Sequence, residues 1–238
     1  MTGVEERLAQ LATRFSLPEG APPALLALLK LLASDRTAPT ALRDPALAVD
    51  AHVADALVAL DLDPVRAARC IADLGSGAGL PGLVLAAALP EAQVALVESS
   101  ARKCAFVERA AAAMGLSNTQ AIALRAEDWC AGIGTRDLVT ARAVAPLNVL
   151  IEYAAPLLRV GGAFVAWKGR PHPREEHDGT AAAAAIGLEL ADVRRVEPWN
   201  GAERLHLYLY FKVSSTPTGF PRRAGIASKR PIRASTPR

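Results

Sequence analysis

Hydrophobic residues follow two different rhythms along this chain of 238 residues, and the change comes near Arg69. Before it the rhythm is helical. Leu8, Leu11, Ala12 and Phe15 share one face at the i, i+3, i+4, i+7 spacing. Pro18, Pro22 and Pro23 interrupt; Ala24–Ala33 then reads as an apolar helix and Ser34–Asp44 as a polar loop. Leu47, Val53, Ala54, Leu57 and Val58 mark a third amphipathic helix ending near Asp61–Pro64. After Arg69, short apolar runs alternate with helical segments. Strands are predicted at Cys70–Leu74, Gln93–Val97, Thr119–Leu124, Asp137–Thr140 and Ala163–Lys168. Helices are predicted at Leu83–Leu89, Ala101–Met114, Pro146–Leu158 and Thr180–Ile186, with a break at Gly161–Gly162. Leu188–Val196 and Leu205–Val213 close the pattern as an antiparallel pair. Such alternation predicts an α/β fold: a doubly wound, mostly parallel sheet with a closing antiparallel strand and an N-terminal helical subregion. The division is 1–64 for the helical extension, 65–213 for the sheet domain and 214–238 for a tail without a core of its own.

Composition agrees with a globular chain, 51% hydrophobic and 21% charged. No apolar run is long enough for a spanning helix, and Glu5, Glu6 and Arg7 near the start do not resemble a secretory signal. Cys70, Cys104 and Cys130 are widely spaced and lack a CxxC pattern, so buried free thiols in a reducing cytoplasm are expected, with no metal site. Charge is divided. Residues 1–211 carry 20 Lys and Arg against 24 Asp and Glu, a balance of −4. Residues 212–238 carry seven basic residues and no acid, a balance of +7. A basic tail on a mildly acidic body suits a polyanionic partner.

The most informative segment is Asp73-Leu74-Gly75-Ser76-Gly77-Ala78-Gly79-Leu80-Pro81-Gly82. Glycines between a strand and a helix let the backbone turn tightly and approach a ligand. Gly77-x-Gly79-x-x-Gly82 fits a dinucleotide fingerprint, while Gly75-x-Gly77-x-Gly79 after Asp73 matches the loop of S-adenosylmethionine-dependent methyltransferases. Asp73 favours the second frame, because an acid beside the loop suits a ligand with an ammonium and a sulfonium and repels a pyrophosphate. Glu98 ends the second strand 23 residues after Gly75, where a carboxylate can accept from ribose hydroxyls. Ala126 and Glu127 follow the third strand, where an adenine edge would lie.

With these residues in place, the chain resembles the ribosomal small-subunit methyltransferase G family, also called glucose-inhibited division protein B. The resemblance runs from about Leu42 to Ile232. It rests on the glycine loop, on Glu98…Arg102-Lys103…Phe106, on Thr140-Ala141-Arg142-Ala143, on Lys168-Gly169, and on the tail piece Phe220-Pro221-Arg222-Arg223-Ala224-Gly225-Ile226-Ala227-Ser228-Lys229-Arg230-Pro231. It implies a Rossmann-like class I methyltransferase that uses S-adenosylmethionine to methylate guanine N7 in 16S ribosomal RNA. By position it implies cofactor contacts at Gly75, Leu80, Ala126, Glu127 and Arg142, to which the physical argument adds Gly77 and Glu98. The N-terminal part departs from the family's pattern and keeps only Thr40, Arg43-Asp44-Pro45, His52 and Asp55 of it.

Guanine N7 carries a lone pair and no proton, so its methylation needs no general base; the cationic product would suit a nearby carboxylate, and the sequence names no catalytic residue. Alignment does the work. Arg102, Lys103, Lys168, Arg222 and Arg223 are the candidate phosphate contacts, with Arg170 beside them. His52 is expected to pack on its helix with a polar partner. The expected protein is a cytoplasmic monomer acting on small-subunit ribosomal RNA or a subunit particle, with no membrane or metal partner. Two other readings stand beside it: a class I methyltransferase acting on a small molecule or protein, and a non-catalytic nucleotide-binding assembly protein.

Overall fold

The computed structural model describes residues 3–142, 145–202 and 204–234. Ala143 of the Thr140–Ala143 motif and residues 235–238 of the tail, Arg238 included, lie outside these. The chain starts with α1 (Gly3–Phe15) and α2 (Ala21–Ser34). Next comes an unbroken helical run: α3 (Pro45–Ala48), a π turn (Val49–Ala54), α4 (Asp55–Leu57) and a 3₁₀ turn (Val58–Asp61). α5 (Asp63–Arg66) leads into the sheet, where β1 (Cys70–Leu74), α6 (Gly82–Ala88), β2 (Gln93–Val97), α7 (Ala101–Ala113) and β3 (Thr119–Ile122) alternate. β4 (Arg136–Arg142), α8 (Leu147–Ala154), β5 (Leu158–Lys168) and α9 (Pro173–Ile186) continue the alternation. β6 (Leu188–Val196), β7 (Leu205–Lys212) and the short α10 (Ile226–Lys229) finish the chain.

Seven strands form one sheet in the order β3-β2-β1-β4-β5-β7-β6. The first five run parallel, and β7 enters antiparallel between β5 and β6. Because both faces are covered, the strands read as short apolar runs rather than alternating ones. One face buries Ile71, Leu96 and Leu138 against α2, α6 and the helical run. The other buries Val97, Val139 and Phe164 against α8 and α9. No helix among the described residues is long and apolar enough to cross a membrane.

Several boundaries differ from the sequence pattern, each for a local reason. Leu47, expected on the apolar face, is 59% exposed. The π turn behind it inserts an extra residue, which rotates the preceding turn off the phase of Val53 and Leu57. α8 stops at Ala154 instead of running to Leu158, because Pro156 cannot donate the next helical bond. Gly161–Gly162 does not break the chain but lies inside β5. A Cβ on Gly162 would sit 3.0–3.2 Å from the carbonyls of Arg159, Arg136 and Asp137, so glycine permits the close approach of β4 where the register shifts. α9 begins at Pro173, its first turn hidden in the sequence by Glu175 and Glu176. All three cysteines are free; Cys104 alone is buried as expected, Cys70 being half-buried and Cys130 exposed.

The tail is not detached. Beyond β7, residues 214–234 form a strap across α8: Phe220 and Ile232 pack on the second core, Ala227 is buried, and Asn148 Nδ2 donates to the Ile232 carbonyl at 2.6 Å.

Candidate active site

β1, β2 and β4 end side by side, at the point where the strand order reverses and α/β sheets hold their ligands. An open cavity of about 540 Å³ lies there. Its floor is the loop after β1. Gly75 (φ 66°), Gly77 (φ 56°) and Gly79 (φ 84°) all occupy the left-handed region, which residues with a Cβ enter at a cost of roughly 1–2 kcal/mol. That geometry turns the backbone under the cavity: the Gly75 amide donates back to the Val97 carbonyl at 2.8 Å.

Glu98, only 6% exposed, forms the adjoining wall. Its Oε2 accepts from the Gly77 amide at 3.2 Å and its Oε1 from the Ser100 amide at 2.9 Å, while Lys103 Nζ approaches to 3.9 Å. The carboxylate is therefore fixed at the strand end with lone pairs remaining for a ligand. Ala126 and Glu127, on a 3₁₀ turn after β3, make the third side. Glu127 Oε1 accepts from the Gly225 amide of the strap at 2.9 Å. Leu80, Leu124 and Tyr153 supply apolar surface.

Arg142 closes the cavity from the end of β4. Its Nη1 meets Asp55 Oδ2 at 2.6 Å and points to the Ala51 carbonyl of the π turn at 3.4 Å. Burial pushes the Asp55 carboxyl upward in pKa, against the pull of Arg142. His52 stands beside them with Nε2 3.2 Å from Thr40 Oγ1, the polar partner its helix position called for. Burial first, and Arg142 second, hold the pKa of its imidazole below the usual value. Its Nδ1, Asp55 Oδ1 and Ser76 Oγ are buried without a hydrogen-bond partner.

Gly75, Gly77, Leu80, Glu98, Ala126, Glu127 and Arg142 all line this one cavity. Asp73 does not. It is fully buried beneath the loop, where Oδ2 accepts from the Gly82 amide at 3.0 Å and Oδ1 from Thr140 Oγ1 at 2.9 Å. Desolvation lifts its pKa to about 7. Asp73 therefore does not face a cationic ligand, contrary to what its place before the loop suggests; it staples the glycine loop to β4 instead. Among the basic candidates, Lys103 lines the cavity, and Arg102 and Arg170 are exposed beyond it. Lys168 Nζ lies 2.5 Å from Glu175 Oε1. Arg222 is committed to Glu152, with Nε–Oε1 at 2.6 Å and Nη2–Oε2 at 2.5 Å. Arg223 is exposed. Tyr153 and Ser228 also line the cavity, and nothing in the local sequence marks them, since each arrives there by packing of a distant segment.

The strand order with β7 antiparallel between β5 and β6, and a glycine loop after β1, define the class I methyltransferase fold. Solved structures agree on that fold. A geranyl diphosphate methyltransferase superposes with a TM-score of 0.55 at 19% identity, covering 67% of this chain and 78% of that one. The 16S rRNA (adenine(1408)-N(1))-methyltransferase from Catenulisporales acidiphilia gives 0.51 at 22% identity, covering 65% and 89%. Within that class the chain belongs to the rRNA small subunit methyltransferase G family, whose model matches residues 25–200. Relatives named ribosomal RNA small subunit methyltransferase G include one from Rubrobacter xylanophilus, 43% identical and covering 80% of this chain and 76% of its own. Another, from Symbiobacterium thermophilum, is 38% identical over 96% of both chains.

Proposed function

We propose that this protein transfers a methyl group from S-adenosylmethionine to N7 of a guanine in small-subunit ribosomal RNA. The observation that carries the reading is the convergence of Glu98, the left-handed glycine loop and Arg142 on one cavity in a chain of this family. The residues present fit the cofactor. The glycines of the loop open its backbone to close approach, Glu98 offers fixed acceptors for ribose hydroxyls, and the buried Ser76 hydroxyl lacks a partner. When bound, S-adenosylmethionine supplies an electrophilic methyl on a sulfonium.

The chain's own residues then bind and orient. Gly75 and Gly77 admit close backbone approach, Leu80 and Ala126 shield the site from water, and Glu127 stands where an adenine edge would be read. Arg142, its guanidinium held by Asp55, is a positioning group at the far end. N7 has no proton to lose, so no base is required. Arg102, Lys103, Lys168 and Arg223 are the proposed phosphate contacts. The protein acts in the cytoplasm as a monomer on this reading.

The test is incubation with methyl-labelled cofactor and either naked small-subunit ribosomal RNA or the assembled subunit. Label at a guanine N7 in either arm supports the reading. Label on protein or small molecules alone, or none, removes it.

A further inference from the structure

The mechanism leaves one buried charge pair unused. Glu152 on α8 is 1% exposed, an expensive place for a carboxylate without a partner. Its partner comes from 70 residues further along: Arg222 grips both carboxylate oxygens, at 2.6 and 2.5 Å, and also donates to the Arg230 carbonyl at 3.0 Å. One guanidinium thus fastens the strap to α8 and folds it on itself. Tyr153, the next residue on α8, lines the cofactor cavity, and so does Ser228 of the fastened segment. The Gly225 amide between them holds Glu127, another cavity residue, at 2.9 Å. Inward of Arg222, Ser228 faces the cavity while Phe220 and Ile232 pack on the second core. Outward, Arg223, Lys229 and Arg230 have exposed side chains with no ion pair among the described residues.

We propose that the Arg222–Glu152 pair seats residues 214–234 as a wall of the cofactor cavity, and that the seated wall turns Arg223, Lys229 and Arg230 toward RNA phosphates. Arg222 is then a positioning residue rather than a phosphate contact, and the basic tail serves cofactor and RNA at once. The inference rests on the methyltransferase reading above. It adds a prediction that reading does not make: cofactor and strap stabilise each other reciprocally.

Two variants of the full chain separate the roles. Glu152→Met with Arg222→Met removes both charges together, so no lone buried charge threatens the fold. Arg223→Ala, Lys229→Ala and Arg230→Ala leave the clamp intact. Calorimetry with S-adenosylmethionine should show the first variant weakened roughly tenfold, within the usual range of coupling between two sites. Trypsin should cut its strap faster, and S-adenosylhomocysteine should slow that cutting in the wild type far more than in the variant. The triple variant should keep wild-type cofactor affinity while its salt slope for ribosomal RNA flattens by about 2. A purely structural pair would lower the melting temperature without changing cofactor affinity or the cofactor's protection of the strap, and that result overturns the proposal. Loss of cofactor affinity in the triple variant overturns it as well. If the wild type itself binds no cofactor, the methyltransferase reading falls too. If it binds and methylates while both variants match it, the wall and the phosphate-facing cations are both lost and the methyltransferase reading stands.

Discussion

Glu98 reaches back across the cavity to the Gly77 amide, 3.2 Å from its Oε2, so the acid after β2 and the turn after β1 form one preassembled surface. Removing the carboxylate takes away both the ligand's acceptor and the partner of two loop amides. Glu98→Ala should weaken cofactor binding by about 1.5–3 kcal/mol, the range for hydrogen bonds to charged groups. Isothermal titration checks it. A change below about 0.3 kcal/mol would place Glu98 outside the binding surface.

Gly77 is held at φ 56°, and a Cβ there would have only the Gly75 carbonyl, at 3.6 Å, as a neighbour. Space is available but the conformation is not, least of all to a β-branched side chain. Gly77→Val should abolish measurable cofactor binding while the far-ultraviolet dichroism stays native. Retained affinity would show that the loop backbone is not the contact.

Asp73 gives a pH signature. Its folded pKa of about 7 stands above the ordinary aspartate value of 3.8, so between these values the unfolded chain ionises first. Stability contributed by the protonated form is complete below about pH 4 and is lost as pH rises toward 7. The loss is on the order of 4 kcal/mol at 1.36 kcal/mol per unit. Asp73→Asn keeps an acceptor for Gly82 and a donor for Thr140 but cannot titrate. Its unfolding free energy in urea should fall less between pH 4.5 and 7 than that of the wild type; parallel curves would contradict the assignment.

Lys212 gives the opposite slope. Only 2% exposed, it donates to the Ile186 carbonyl at 2.7 Å and to Thr216 Oγ1 at 2.6 Å, and desolvation lowers its pKa from 10.5 to about 8. The folded state gives up this proton before the unfolded state does, so the group's penalty is full below pH 8 and fades toward 10.5. Lys212→Met should therefore lose ground relative to the wild type as pH climbs from 7.5 to 9.5. A constant gap in denaturation midpoints would show that the amine titrates normally.

What could be read from the sequence was local. β1 at Cys70–Leu74 and β2 at Gln93–Val97 stand where their apolar runs put them, because a strand buried on both faces needs no partner to announce it. Glu98 and the glycines were legible for the same reason: each follows directly from the strand before it. Relationships across the fold were not. Asp73 precedes the loop in sequence yet lies beneath it, a distinction that requires knowing Gly82 returns overhead. Leu47 follows helical spacing only until a π turn resets the phase. The strap reads as a polar, basic coil, and Glu152, its anchor, looks like an ordinary helix acid until Arg222 is brought to it.

The central claim, methyl transfer to guanine N7, makes a chemical mark that can be located. Small-subunit ribosomal RNA treated with the protein and S-adenosylmethionine, then reduced with borohydride and cleaved with aniline, breaks only at N7-methylated guanines. The account predicts one new break, at a guanine, dependent on the cofactor and absent with Gly77→Val. Methyl incorporation into the RNA without such a break, or breaks scattered over many guanines, would contradict it.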